Sequence, residues 1–222
     1  RNDEVFRLGV SNCTLLHMQA NYLQRCVDSF NGTILIRFYL ERWLSRSPIA
    51  WAQGCANIWR SNALLRDCER VHFTPANEQN LAGETYGEWS NAELQAKCET
   101  RQHYEAINNW NLVWLQEFTR LTGCPTSRLH WPAVAYGHND DDDAAGKGFV
   151  GLEVCRSSIE AYGVLDCHPY WFTEGEIELE YRGHRFERLH KMFPSKPIFC
   201  SELGNFNVTS PTTPREIVHW FD

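Results

Sequence analysis

Short, nearly continuous apolar runs alternate along the chain with longer stretches in which apolar residues recur every three or four positions. The runs at 5–12 (VFRLGVSN), 33–40 (TILIRFYL), 70–78 (RVHFTPANE), 127–137 (SRLHWPAVAYG), 164–171 (VLDCHPYW) and 197–204 (PIFCSELG) read as strands. Helices are predicted over 15–30, from Ser47-Pro48 to about Cys68, over 91–121, over 148–163 up to Gly163, and over 184–193, with Pro214 opening a last one. Strands joined by single helices make βα units and a parallel sheet, in one domain spanning residues 1–222.

Two parallel architectures fit such a pattern. A doubly wound nucleotide fold carries a glycine-rich turn after its first strand, and LGVSNCTLL has a single glycine there. Instead, polar or aromatic groups close almost every strand: Asn12, Arg37 and Tyr39, Asn77 and Glu78, Tyr136 and His138, His168 and Tyr170, Glu202. A TIM barrel assembles its active site from the carboxyl ends of its strands, so the expected fold is α/β of the (β/α)8 type.

Composition narrows the function. The net charge is -7 with Lys and Arg scattered, which leaves no basic face for nucleic acid. No apolar run of about 18 residues is present, so no membrane span is expected. Nine Trp, eight Tyr and twelve Phe supply core volume and also suit flat ligands such as sugar rings. Trp43, Trp89, Trp131 and Trp171 fall near predicted strand ends and are candidate sugar-stacking walls. The nine cysteines include no CxxC pair and no zinc spacing; they read as buried thiols or as disulfides with one left over. Three N-x-[ST] sequons, at Asn12, Asn31 and Asn207, lean toward secretion. The run Asp140–Asp143 lacks the alternation of a Ca²⁺ loop and is expected to be solvated and mobile, because like charges repel.

Three stretches, in order, carry a family resemblance. PANEQN resembles the Asn-Glu end of the fourth strand in clan A of the glycoside hydrolases, DCHPYW is similar to the His-x-Tyr of the sixth, and IFCSELG to the glutamate of the seventh. The resemblance implies a retaining enzyme acting on a β-linked oligo- or polysaccharide without a cofactor or metal. Such chemistry needs two carboxyl groups about 5–5.5 Å apart, one attacking the anomeric carbon and one protonating the departing oxygen. By that resemblance Glu78 is the acid/base and Glu202 the nucleophile, with Asn77 on the sugar 2-hydroxyl. Tyr170 donates to the nucleophile, His168 lines the pocket, and Arg37 is placed to pair with Glu202 and lower its pKa. Trp43, Trp131 and Trp171 join the substrate-binding set.

The chain departs from the clan in two ways. Only three strands precede and include the Glu78 strand, where the clan places its acid on the fourth, and no eighth strand follows Glu202. The expected barrel is therefore incomplete or truncated, lacking one βα unit and its C-terminal part. Its open edge invites a second copy or a partner chain. A rival reading is a non-catalytic carbohydrate-binding or assembly scaffold on a degenerate barrel. A third, a hydrolase with metal-held water, draws on His130, His138 and the Asp run but has no His-x-His spacing.

Overall fold

The computed structural model describes residues 13–15, 20–143 and 146–205. The strand expected at 5–12, with Asn12, and the helix expected from Pro214 lie outside these residues. In chain order the elements are β1 (Cys13–Leu15), α1 (Ala20–Ser29), β2 (Ile34–Arg37), α2 (Pro48–Ser61), α3 (Ala63–Asp67), β3 (Val71–Thr74), α4 (Ala82–Tyr86), α5 (Ala92–Cys98) and α6 (Arg101–Thr122). Beyond them come β4 (His130–Trp131), α7 (Gly151–Val154), α8 (Arg156–Ala161), β5 (Val164–Cys167), β6 (Tyr170–Trp171), α9 (Arg185–Met192), β7 (Ile198–Cys200) and β8 (Gly204–Asn205).

Two expected helices are each split by a residue that caps the second of the two pieces. Asn62 takes an extended conformation, ends α2 and accepts the Leu64 N–H on its side chain at 2.9 Å, opening α3. Thr100 opens α6 in the same way, accepting the His103 N–H at 3.2 Å. The strands are shorter than the apolar runs, and three stop at a proline: Thr74-Pro75, Trp131-Pro132 and Cys167-His168-Pro169. Proline has no N–H to give the ladder, so at each of these points the chain leaves the sheet and becomes a loop.

Every described strand pairing is parallel. β1 pairs with β2 and β2 with β3, in a register that sets Arg37 beside Thr74. A bridge from Phe73 to Leu129 carries the sheet on to β4, β4 pairs with β5, and β5 with β7. The strands thus succeed one another around an arc in chain order, each unit returning through helices, as barrel winding requires. The short β6–β8 pair extends the β5 and β7 lines past their ends. Among the described residues no pairing joins β7 back to β1.

Alternation along the strands separates two faces. Ile34, Ile36, Phe38, Val71 and Phe73 join the core beneath the helices, where Phe38 stacks on Phe73 at 5.7 Å and Trp114 on Phe118 at 4.6 Å. Leu35, Arg37, His72, Thr74, His130, Asp166 and His168 are absent from that core and fill the inside of the arc.

Several expectations need correction here. Trp43, Trp131 and Trp171 are fully buried, so their rings present no face to a sugar. Trp43 packs edge-on against His103 and Trp110, and the Trp131 indole N–H donates to Ser158 Oγ at 2.8 Å. The acidic run is docked: Asp140 and Asp141 are buried against Arg185, itself 1 % exposed, and Arg188 pairs with Asp141 and Asp142. His130 lies against His72 at 2.9 Å and His138 against Glu99 at 2.7 Å, so the two histidines proposed for a metal-held water serve different neighbours. The eight cysteines whose side chains are described are free thiols. Among the described residues no helix is long and apolar enough to cross a membrane.

Candidate active site

The Pro75 break after β3 hands the chain to Asn77-Glu78-Gln79-Asn80, and each of these four residues has a specific job. Glu78 holds a positive φ of 23°, a sparsely populated conformation for a residue with a Cβ, which costs of order 1–3 kcal/mol. The next residue clamps it there. The Gln79 carbonyl accepts hydrogen bonds from Trp43 Nε1 at 3.1 Å and Thr85 Oγ1 at 2.9 Å, and lies 2.9 Å from His103 Nε2. Gln79 Oε1 accepts from Asn111 at 2.7 Å, and Asn80 closes a two-way pair with the Ala135 backbone, donating at 2.6 Å and accepting at 2.8 Å. Trp43 therefore serves the site from behind, by fixing the backbone beside Glu78.

From the neighbouring strands, Arg37, His168, Tyr170 and Glu202 converge on the same space. Arg37, at the end of β2 and almost fully buried, pairs with Glu202 Oε1 through Nη1. Its Nη2 lies 3.0 Å from His168 Nε2 and donates to Ser201 Oγ at 3.2 Å. The Tyr170 hydroxyl donates to the other Glu202 oxygen at 2.5 Å. Glu202 is thus held at both oxygens. The fully buried His168 ring spans the two carboxylates: Nδ1 is 2.8 Å from Glu78 Oε1, and Nε2 is 3.8 Å from Glu202 Oε1. Below it, Ser201 Oγ donates to Asp166 Oδ2 at 2.8 Å.

This geometry sets the electrostatics. Burial would push the Glu202 carboxyl up, but attraction from His168 and Arg37, with hydrogen bonds from Tyr170 and Arg37, holds it down at about 2. It is an ionised, oriented carboxylate at neutral pH. Burial pushes the Tyr170 phenol well above its usual range, and the Glu202 charge adds to this, so it stays a donor. Tyr170→Phe is expected to raise the Glu202 pKa and shift the acid limb of a pH–activity profile upward; an unmoved limb would show that the phenol hydrogen bond contributes nothing there.

Of the expected site residues, Arg37, Glu78, His168, Tyr170 and Glu202 are thus brought together, and Asn77 sits beside them with its side chain on Glu84 at 2.9 Å. Sequence reasoning missed Glu84, Asp166 and Ser201. Asp166 lies two residues before His168, and the alternation of a strand would have put it on the same inward face. Among the described residues no three of His, Cys, Asp and Glu are grouped as a metal would need them.

No family model matches the chain, and the comparison with curated proteins found no match. Solved structures do match. One is XEG5A, a xyloglucan-specific endo-β-1,4-glucanase of glycoside hydrolase family 5 from a metagenomic library, solved with cellotriose. The TM-score is 0.56 at 14% sequence identity, over 99% of this chain and 71% of that one. Another is PbGH5A, a family 5 enzyme from Prevotella bryantii B14, with a TM-score of 0.56 and 14% identity over 99% of this chain and 72% of that one. The shared feature is the fold: the described strands of this chain form an arc of a TIM-type barrel like that of these enzymes.

Proposed function

We propose that the chain is a retaining glycoside hydrolase that cleaves β-linked glycosidic bonds of an oligo- or polysaccharide. The observation that carries this reading is the single His168 ring linking two glutamates whose surroundings differ. Glu202 is clamped at both oxygens by a cation and a phenol, as a nucleophile must be. Glu78 has His168 at one oxygen and, among the described residues, no such clamp. In the first step a Glu202 oxygen attacks the anomeric carbon while Glu78 gives its proton to the departing glycosidic oxygen, and the C–O bond breaks. In the second, Glu78 takes a proton from water, whose oxygen displaces Glu202 from the same carbon. The two displacements together retain the β configuration.

The test is ¹H NMR of the first product released from β-1,4-linked gluco-oligosaccharides, xyloglucan and β-mannan. Release of the β anomer supports the reading, and release of the α anomer removes the retaining mechanism. A folded chain that binds these sugars and cleaves none would be the carbohydrate-binding scaffold instead.

Among the described residues, Trp89 is the indole that meets the steric demands of a sugar platform. It is 63% exposed, and its ring lies so close to Gly83 in α4 that a Cβ there would fall 2.1 Å from it. One face rests on bare backbone next to Glu84, which bonds Asn77. Trp89→Ala is expected to raise KM several-fold with little change in kcat, the signature of lost uniform binding. An unchanged KM on every chain length of oligosaccharide would exclude the platform.

A further inference from the structure

Glu84 is buried at 2 % exposure, and its Oε1 accepts the Asn77 Nδ2–H at 2.9 Å. The other two polar atoms of this pair, Glu84 Oε2 and Asn77 Oδ1, are both buried and both lack a hydrogen-bond partner. An ionised carboxylate offers acceptors only, and so does a carboxamide oxygen, so in that form neither atom can satisfy the other. A proton on Oε2 resolves both vacancies at once. Its O–H would then donate to Asn77 Oδ1 while Oε1 accepts from Nδ2, and the two side chains would close an acid–amide ring.

We propose that Glu84 is a positioning residue that works in its neutral form, locking the Asn77 carboxamide in a two-bond ring and aiming its second N–H into the cleft. That this N–H meets a sugar 2-hydroxyl rests on the function proposed above; the ring itself does not. The charged and titratable groups facing Glu84 are Glu78 beyond the end of β3, Arg37 at the end of β2, and Tyr39 and Glu41 just after it. Burial, and then the charges of Glu78 and Glu41, push the Glu84 carboxyl up to about 7, against the Asn77 hydrogen bond and Arg37. Above that pH the O–H becomes a second acceptor facing Oδ1, and the amide loses its fixed orientation.

The sign for stability is definite. Between about pH 4.5 and 7 the folded chain keeps a proton that the unfolded chain has released, so this group lowers stability as pH rises through that window. Glutamine at this position carries an N–H where the acid carries its O–H, and so keeps the ring at every pH.

The experiment uses the full chain, labelled with ¹⁵N, and β-1,4-linked gluco-oligosaccharide as the probe. The Asn77 side-chain amide signals, assigned by their loss in Asn77→Ala, are expected to titrate with a midpoint near 7 and to stop doing so in Glu84→Gln. Glu84→Ala is expected to lower kcat/KM at pH 6 about a hundredfold through a misaligned amide. Glu84→Gln recovers most of that loss, moves the alkaline fall in activity upward, and raises Tm relative to the parent at pH 8 more than at pH 4.5. Asn77 signals that ignore pH, or an alkaline fall unmoved in Glu84→Gln, would overturn the proposal. Should the parent chain cleave no β-glycan, the function falls, and the amide titration alone decides the ring: a midpoint near 7 upholds it and a flat profile overturns it.

Discussion

Glu202→Ala is expected to lower kcat by about four to six orders of magnitude, the scale of loss when one member of a catalytic unit is removed from a working site. The arrangement of donors explains the size. Arg37 and Tyr170 exist in the site to hold one carboxylate, and an alanine leaves both pointing at an empty volume. Sodium azide should then restore turnover of a β-glycoside with a good leaving group by entering where the Glu202 oxygen stood, giving the α-glycosyl azide. Glu78→Ala separates the roles. It should cut hydrolysis of unactivated substrates just as deeply, yet spare glycosylation from a leaving group that needs no proton, and azide should then yield the β-glycosyl azide. Both variants should keep the parent's circular dichroism, with a lower Tm for Glu202→Ala, which leaves the buried Arg37 without its carboxylate. Parent-like hydrolysis by either would remove the two-carboxylate mechanism, and the same azide anomer from both would reverse or collapse the assignment of roles.

The second large effect concerns stability. Arg185→Ala is expected to destabilise the fold by about 3–5 kcal/mol, or about 10 °C in Tm for a chain of this length. Arg185 donates to the Val134 carbonyl at 2.8 Å and pairs with the buried Asp140 and Asp141. Burial already pushes the Asp140 carboxyl up, the charge on Arg185 opposes this, and Asp141 adds to the push. Without the guanidinium, the fully buried Asp140 loses its counter-charge, and Asp141 keeps only Arg188 at 3.7 Å. Urea unfolding of the two proteins measures the difference directly; a loss below about 1 kcal/mol would mean that water replaces the arginine at little cost.

The winding of the barrel was legible because apolar strands and amphipathic helices alternate with different periods, and that alternation needs no tertiary knowledge. Glu78, His168, Tyr170 and Glu202 were legible for a related reason: a polar group ending an apolar run has to be held by something. The indoles were misread because proximity to a strand end does not say whether a ring reaches solvent: Trp43 and Trp131 belong to the hydrophobic core, and Trp171 is fully buried outside it. The aspartate run was misread because its counter-charge, Arg185, lies 45 residues away from Asp140. Glu84 gave no signal at all. Its helix is five residues long, too short to show a period, and its partner Asn77 is found only once the turn from Glu78 to Leu81 brings α4 back over the strand end.

The pairing of Arg37 with Glu202 joins residues 165 apart in sequence. Closing so long a loop is costly in chain entropy until the intervening strands have taken their places, and a local fragment of the chain contains only one half of the pair. On the function proposed above, catalytic competence is then a property of the folded chain that no local fragment carries. The chain acquires the clamp on Glu202 in the same event that brings the end of β7 to the end of β2, and on the function proposed above activity becomes a direct measure of how many molecules have finished folding.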